Sequence, residues 1–305
     1  MSVRHFKTLR DLDRAELDAL VRRAIELAAL RGTPAHPRPL DGKTVVVLLE
    51  KASTRTRVSF EVGIHELGGL PLTLLAKDTQ LGRGEPIEDT ARMLSGYAHA
   101  VVYRTHAHER IEAFAAASRI PLINGLSDAY HPCQLLADLA TIRARLGRVE
   151  GLTAAWIGDG NNMAHSYINA AVLAGFALRL ACPEGYDPDP AIVEAARRDG
   201  ARIDVLRSPR EAVRGADVVT TDVWASMGQE EEAAARMRAF ASYQVDAALM
   251  AEASSEAIFL HCLPAHRGEE VSAEVLEGPR SAVWQQAEYR LHAQKALLEL
   301  LVRTE

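Results

Sequence analysis

Short apolar runs rich in β-branched residues recur along the chain and alternate with longer amphipathic stretches. That rhythm predicts parallel strands joined by crossover helices. In the first half, strands are predicted at 44–49, 70–75, 100–103 and 120–123, with a helix over 58–67 that closes at Gly68-Gly69. Residues 132–146 read as a helix leading out of this series. A second series follows Gly151, with strands at 152–157, 177–181, 202–206, 218–221 and 257–260 and helical stretches between most of them. Residues 287–302 again have helical spacing. No repeat of solenoid period and no low-complexity linker interrupts the pattern. The expected fold is therefore α/β, with two doubly wound domains built on parallel sheets. The first spans 1–146 and is completed by the C-terminal helix within 287–305; the second spans 147–286.

The unusual polar residues fall at the carboxyl ends of the predicted strands. Ser53-Thr54-Arg55-Thr56 follows the first strand, Arg104-Thr105-His106 the third, and His131-Pro132-Cys133-Gln134 lies beyond the fourth. In the second half, Asn161-Asn162, the stretch from Asp222 to Gly228, and His261-Cys262-Leu263-Pro264 hold corresponding places. Open α/β sheets bind ligands beyond those strand ends, so the expected active site is an interdomain cleft that pools all six clusters.

Composition narrows the partners. At 305 residues and 48% apolar content the chain can bury two cores, and a net charge of −6 offers no broad basic field for nucleic acid or an anionic membrane. Any positive site must be local. The three cysteines, Cys133, Cys182 and Cys262, are far apart and form no CxxC pair, which points to a reducing compartment rather than to disulfides or a zinc ribbon. No apolar run approaches the ~18 residues of a membrane span, and the amino terminus lacks a signal-peptide core, so a cytoplasmic location is expected. The Glu230-Glu231-Glu232 run reads as the solvated start of a helix.

Each motif has a plain reading beside a chemical one. In Lys51-Ala-Ser-Thr-Arg-Thr-Arg57, Ser53 or Thr54 can cap a helix whose first N–H groups face an anion while Arg55 closes on it as a bidentate donor; alternatively this is an ordinary capped helix with solvated arginines. Arg104 and His131 would add charge and a hydrogen bond from other directions. Such fixed donors suit a reaction in which negative charge grows on a carbonyl oxygen and a leaving phosphate. Gly158 and Gly160 suggest a dinucleotide fingerprint, but Met163 occupies the third glycine position, so no cofactor is expected. Asn161 and Asn162 can be helix caps or can hold a zwitterion. The Asp222–Gly228 stretch offers a carboxylate to an ammonium group or is simply a loop. His261, Cys262 and His266 could suggest a metal, yet neighbours rarely share one tetrahedral ion and no fourth ligand is evident; no metal is expected.

Taken in order, STRTRVSFEVG, HPCQLLADL, GDGNNMAHS, DVWASMGQEEE, HCLPAHRGEEV and RLHAQKALL resemble the aspartate/ornithine carbamoyltransferases across nearly the whole chain. The resemblance implies an enzyme that passes a carbamoyl group from carbamoyl phosphate to the side-chain amine of L-ornithine, giving L-citrulline and phosphate. It implies that Ser53, Thr54, Arg55, Thr56, Gln80, Arg104, His131, Gln134, Cys262, Leu263 and Arg290 hold carbamoyl phosphate. Arg55, Thr56, Arg104, His131 and Cys262 are the implied catalytic residues. Asn162, Asp222, Ser226 and Met227 are implied for ornithine. In the family the loop bearing Gln80 reaches a neighbouring subunit, so a homotrimer or a multiple of trimers is implied. Two positions depart from the family pattern, Tyr289 before Arg290 and Ala52 before Ser53, and neither removes a functional group.

Overall fold

The computed structural model describes residues 3–225 and 232–302, which form two compact units: 1–140 together with 289–305, and 141–288. In the first, α1 (Arg14–Leu30) opens on a capping box in which Asp13 accepts from the Glu16 N–H and Glu16 answers to the Asp13 N–H. Then follow β1 (Thr44–Leu49), α2 (Thr54–Glu66), β2 (Leu70–Leu75), α3 (Ile87–Leu94), β3 (Ala100–Arg104), α4 (His108–Ala117), β4 (Leu122–Leu126) and α5 (Pro132–Leu146), within which the chain passes from the first unit to the second. In the second, the order is β5 (Thr153–Ile157), α6 (Asn162–Ala174), β6 (Ala177–Ala181), α7 (Pro190–Arg198), β7 (Ile203–Leu206), α8 (Pro209–Val213), β8 (Val218–Thr221), α9 (Ala233–Phe240), α10 (Ala247–Ala251), β9 (Ile258–His261) and α11 (Ala273–Leu276). The last helix, α12 (Val283–Leu301), returns the chain to the first unit.

Both sheets are parallel throughout, ordered β2-β1-β3-β4 and β7-β6-β5-β8-β9. The direction of winding reverses between β1 and β3 in one and between β5 and β8 in the other, and such switch points are where open sheets accept ligands. Burial explains the composition of the central strands. Val45 through Leu49 are all buried, as a strand covered on both faces requires, and β-branched side chains pack well there. One core gathers Val46, Leu48, Tyr103, Ile111 and Phe114; the other gathers Ile157, Val219, Phe240, Phe259 and Val283.

Two doubly wound, parallel α/β units are what the hydrophobic pattern predicts, and the boundaries move for local reasons. The fourth strand is Leu122–Leu126 rather than 120–123, because the Ser118 hydroxyl caps the Ile120 N–H in a tight turn and Pro121 has no N–H to give a ladder. The helix expected from 58 begins at Thr54, since Ser53 caps it, and the final helix begins at Val283. Arg104 is the last residue of β3, not a loop residue beyond it. Of the acidic run, Glu232 directly precedes α9, while Glu230 and Glu231 lie outside the described residues.

Phe259, fully buried on β9, measures the second core. Phe259→Ala is expected to cost about 3–5 kcal/mol by lost burial and a residual cavity, read as a lower midpoint for that unit in urea unfolding followed by tryptophan fluorescence.

Candidate active site

The switch point of the first unit begins at α2. Ser53, extended at the N-cap, accepts from the Thr56 N–H at 3.3 Å and leaves the first turn of the helix facing outward beyond β1. The Thr56 side chain is fully buried and its hydroxyl oxygen is a hub: the Ser53 hydroxyl donates to it at 3.0 Å, Arg104 Nη1 at 3.1 Å and Arg290 Nη2 at 3.1 Å. Arg104 arrives from the neighbouring strand, where it pairs in register with Leu49 and its carbonyl accepts from the Glu50 N–H. Arg290 arrives from α12. Three sequence-distant cations, counting Arg55 in the first turn of α2, are thereby assembled on one unit.

His131, at the start of α5, completes the group. It is buried, and burial first, then the fields of Arg290, Arg104 and Arg55, push its imidazole well below the usual histidine range. The ring is therefore neutral near pH 7 and can offer a hydrogen bond without adding a fourth positive charge. One turn on, Gln134 donates through Nε2 to Asp138 at 2.9 Å, which fixes the amide and turns Oε1, buried and without a partner among the described residues, into an acceptor for an N–H. Three guanidinium groups and an open amide oxygen together make a site for an anion that also carries an N–H donor. Thr54 is exposed in the same turn. Gln80 is exposed between two 3-10 turns, with no hydrogen bond to this cluster among the described residues.

The second unit carries a different group at its own switch point. Asn161 caps α6, accepting from Met163 N–H at 2.9 Å and Ala164 N–H at 3.3 Å, and also donates to Asp222 Oδ2 at 3.3 Å. Of the asparagine pair, Asn161 is thus the cap, and Asn162 is the first residue of the helix. Asp222, past the end of β8, takes Cys262 Sγ–H at 3.0 Å on Oδ1 together with its own Val223 N–H. Gly160 is required here by a close approach: a Cβ would stand 2.1 Å from the Pro188 nitrogen. Ser226 and Met227 lie outside the described residues.

Cys262 and Leu263 sit beyond β9 beside Asp222, and Leu263 holds φ of 58°, a left-handed conformation uncommon for a leucine. Asp222, His261 and Cys262 bring their ligand atoms within 4.8 Å of one another, a donor set of the kind zinc accepts. Both ring nitrogens of His261 are engaged, Nδ1 by the Leu263 N–H at 2.9 Å and Nε2 by buried Glu270 at 3.0 Å, so a metal there would have to displace one of those bonds.

Sequence reasoning passed over three residues that order these groups. Glu50 accepts from Tyr103 Oη at 2.9 Å, Arg110 Nη2 at 2.6 Å and the Thr105 hydroxyl, tying the ends of β1 and β3 together. Glu270 holds His261. Buried Arg236 pairs with Asp159 and donates to the Trp224 carbonyl beneath the Tyr186 ring. An acid closing an apolar strand was the only signal for Glu50; nothing in the sequence pattern points to the other two.

These features define a class first: two-unit parallel α/β proteins in which one switch point is a cationic anion site and the other presents amide, carboxylate and thiol groups. The chain belongs to the aspartate/ornithine carbamoyltransferase family, with residues 4–144 matching its carbamoyl-P binding domain and 150–301 its Asp/Orn binding domain. It is 59% identical to an ornithine carbamoyltransferase of Methylococcus capsulatus, over 99% of both chains, and 56% identical to one named anabolic from Pseudomonas aeruginosa, over 99% of this chain and 98% of that one. Among solved structures it is similar to the ornithine carbamoyltransferase of Pyrococcus furiosus, with a TM-score of 0.94 and 45% identity over 99% of this chain and 97% of that one.

The sign of the His131 effect is open to measurement. A histidine whose folded pKa is depressed binds its proton more readily when unfolded, so it favours folding above the unfolded value near 6.5 and that contribution is lost as pH falls below it. The expected result is an imidazole C–H NMR signal for His131 that stays flat from pH 8 to 5.5, assigned by its loss in His131→Gln; a titration centred near 6.5 would overturn the neutral assignment.

Proposed function

We propose that the chain catalyses transfer of the carbamoyl group of carbamoyl phosphate to the side-chain amine of L-ornithine, giving L-citrulline and phosphate. The observation that carries the reading is the Thr56 hub, where Ser53, Arg104 and Arg290 converge on one hydroxyl beside neutral His131 and the open Gln134 Oε1. In this reading Ser53, Thr54, Arg55, Thr56, Arg104, His131, Gln134, Arg290, Cys262 and Leu263 hold carbamoyl phosphate. Asn162, Asp222, Ser226 and Met227 hold the amino-acid head group of ornithine.

The neutral δ-amine attacks the carbamoyl carbon, the carbonyl oxygen becomes anionic, and the C–O bond to phosphate breaks as the nitrogen loses a proton. Arg55, Thr56, Arg104 and His131 stabilise the oxygen, and the arginines take up charge on the departing phosphate. No covalent bond to the protein is needed, so the acceleration comes from juxtaposition and preset electrostatics. An alkyl ammonium has a reference pKa near ~10.4, so the reactive amine becomes more abundant, and the rate rises, above neutral pH. The relatives named anabolic support the citrulline-forming direction in the cell.

A homotrimer in the cytoplasm completes the proposal. Edge strand β2 leaves Leu70 and Leu72 exposed, an apolar border suited to a second copy, and the exposure of Gln80 supports the reading that its loop serves a neighbour's site. Among the described residues no helix is long and apolar enough to cross a membrane. Light scattering at three times the chain mass, or a multiple of that, is the expected result; a monomer mass overturns the assembly.

The reaction itself is tested by citrulline formation from carbamoyl phosphate with L-ornithine, N-acetylornithine, putrescine or L-aspartate in parallel. Turnover with ornithine alone is expected, falling about 10²–10³-fold in Arg55→Ala. Turnover with another acceptor instead would overturn the ornithine reading.

A further inference from the structure

On the same unit as the anion site lies a charge cluster, built around one buried lysine, that the reaction does not use. Lys295 on α12 is fully buried, yet its ammonium donates to Glu66 Oε2 at 2.7 Å and lies 2.9 Å from His36 Nε2. The other Glu66 oxygen takes Arg31 Nε at 2.9 Å. Glu66 ends the helix that Ser53 begins, and Lys295 lies five residues beyond Arg290. The helices α2 and α12 are therefore pinned to each other at two points, Thr56 to Arg290 and Glu66 to Lys295. Between the pins, Gly63 lets the backbones approach: a Cβ there would stand 3.2 Å from Lys295 Cγ and 3.3 Å from Leu291 Cδ1.

We propose that Lys295 is a positioning residue for the carbamoyl phosphate site, the pairing of its buried ammonium with half-buried Glu66 fixing the register of α12 on α2 and so holding Arg290 at Thr56. The inference rests on the reading that Arg290 binds carbamoyl phosphate. The physical need is plain. Arg290 stands near Arg104, Arg55 and His131, and repulsion among like charges favours sliding α12 away whenever no anion is bound. A largely buried ion pair contributes little net stability against apolar residues of similar size, but it is specific about register, because a shift of α12 would strand the Lys295 ammonium in the interior. A donor displaced by about 1 Å can lose two orders of magnitude of its effect, so register is what this site needs from α12.

The test is a double-mutant cycle in the full-length protein, Lys295→Met, Glu66→Leu and both together, with Gly63→Ala as an independent variant that removes no charge. Carbamoyl phosphate binding is read by calorimetry, and KM for each substrate by citrulline assay. Lys295→Met is expected to weaken carbamoyl phosphate binding about tenfold with the ornithine KM within about twofold, and the apolar pair to restore binding to within about threefold. Gly63→Ala is expected to weaken binding about threefold or more with no fall in melting temperature, since alanine favours helix over glycine. A merely structural role would lower the melting temperature and both affinities together. Unchanged carbamoyl phosphate binding in Lys295→Met and Gly63→Ala, or equal loss for both substrates, overturns the proposal. If Lys295→Met does not fold, Gly63→Ala alone decides. Wild-type protein that binds carbamoyl phosphate but makes no citrulline sinks the proposed reaction while leaving the calorimetric test intact.

Discussion

Positive charges held close together in a place largely shut off from water are the constraint on which the first unit is built. Arg55, Arg104 and Arg290 come from three elements far apart in sequence, and their fields meet at His131. Each element is fixed before it reaches the site. The register of β1 on β3 sets Arg104, the Ser53 cap sets Arg55, and the packing of α12 on α2 sets Arg290. Keeping His131 uncharged is the complement of that arrangement, because a fourth cation in the same volume would add repulsion without adding a better donor. The preassembled field is what makes such a site fast: the reorganisation that water would need at the moment of reaction has been done during folding.

The second unit answers with the opposite chemistry. Its switch point offers an asparagine, a carboxylate and a thiol that are mutually hydrogen-bonded rather than mutually repelling. The family's carbamoyl-P binding and Asp/Orn binding domains thus share one sheet design, one switch point cationic and the other carrying amide, carboxylate and thiol groups. Much of that difference resides in residues at or just past the strand ends, with Arg290 added from α12.

That division explains what could be read from the sequence. Period and β-branching are local signals, so nine strands and two parallel sheets were legible in the alternation alone, and the polar residues at strand ends stood out because they break an otherwise apolar rhythm. The family motifs then named Ser53 through Thr56, Arg104, His131, Gln134 and Arg290, all of which the fold places on one unit. What was not legible depends on side chains meeting across the fold. Glu50, Glu270, Arg236 and the Lys295–Glu66 pair look like ordinary surface charges in a linear reading, and only burial reveals them. Boundaries failed where a cap or a proline overrode propensity, as at Ser53 and Pro121.

The path of the chain also has a consequence for its synthesis. The boundaries between the units fall at 140/141 and 288/289, so the second unit is one uninterrupted segment inserted within the first. A ribosome that has extruded residue 288 has delivered everything the second unit needs, whereas the first still lacks the later part of α12 and with it Arg290 and Lys295. The earlier-made half must therefore wait for the rest of α12 before Thr56 can meet Arg290 and Glu66 can meet Lys295.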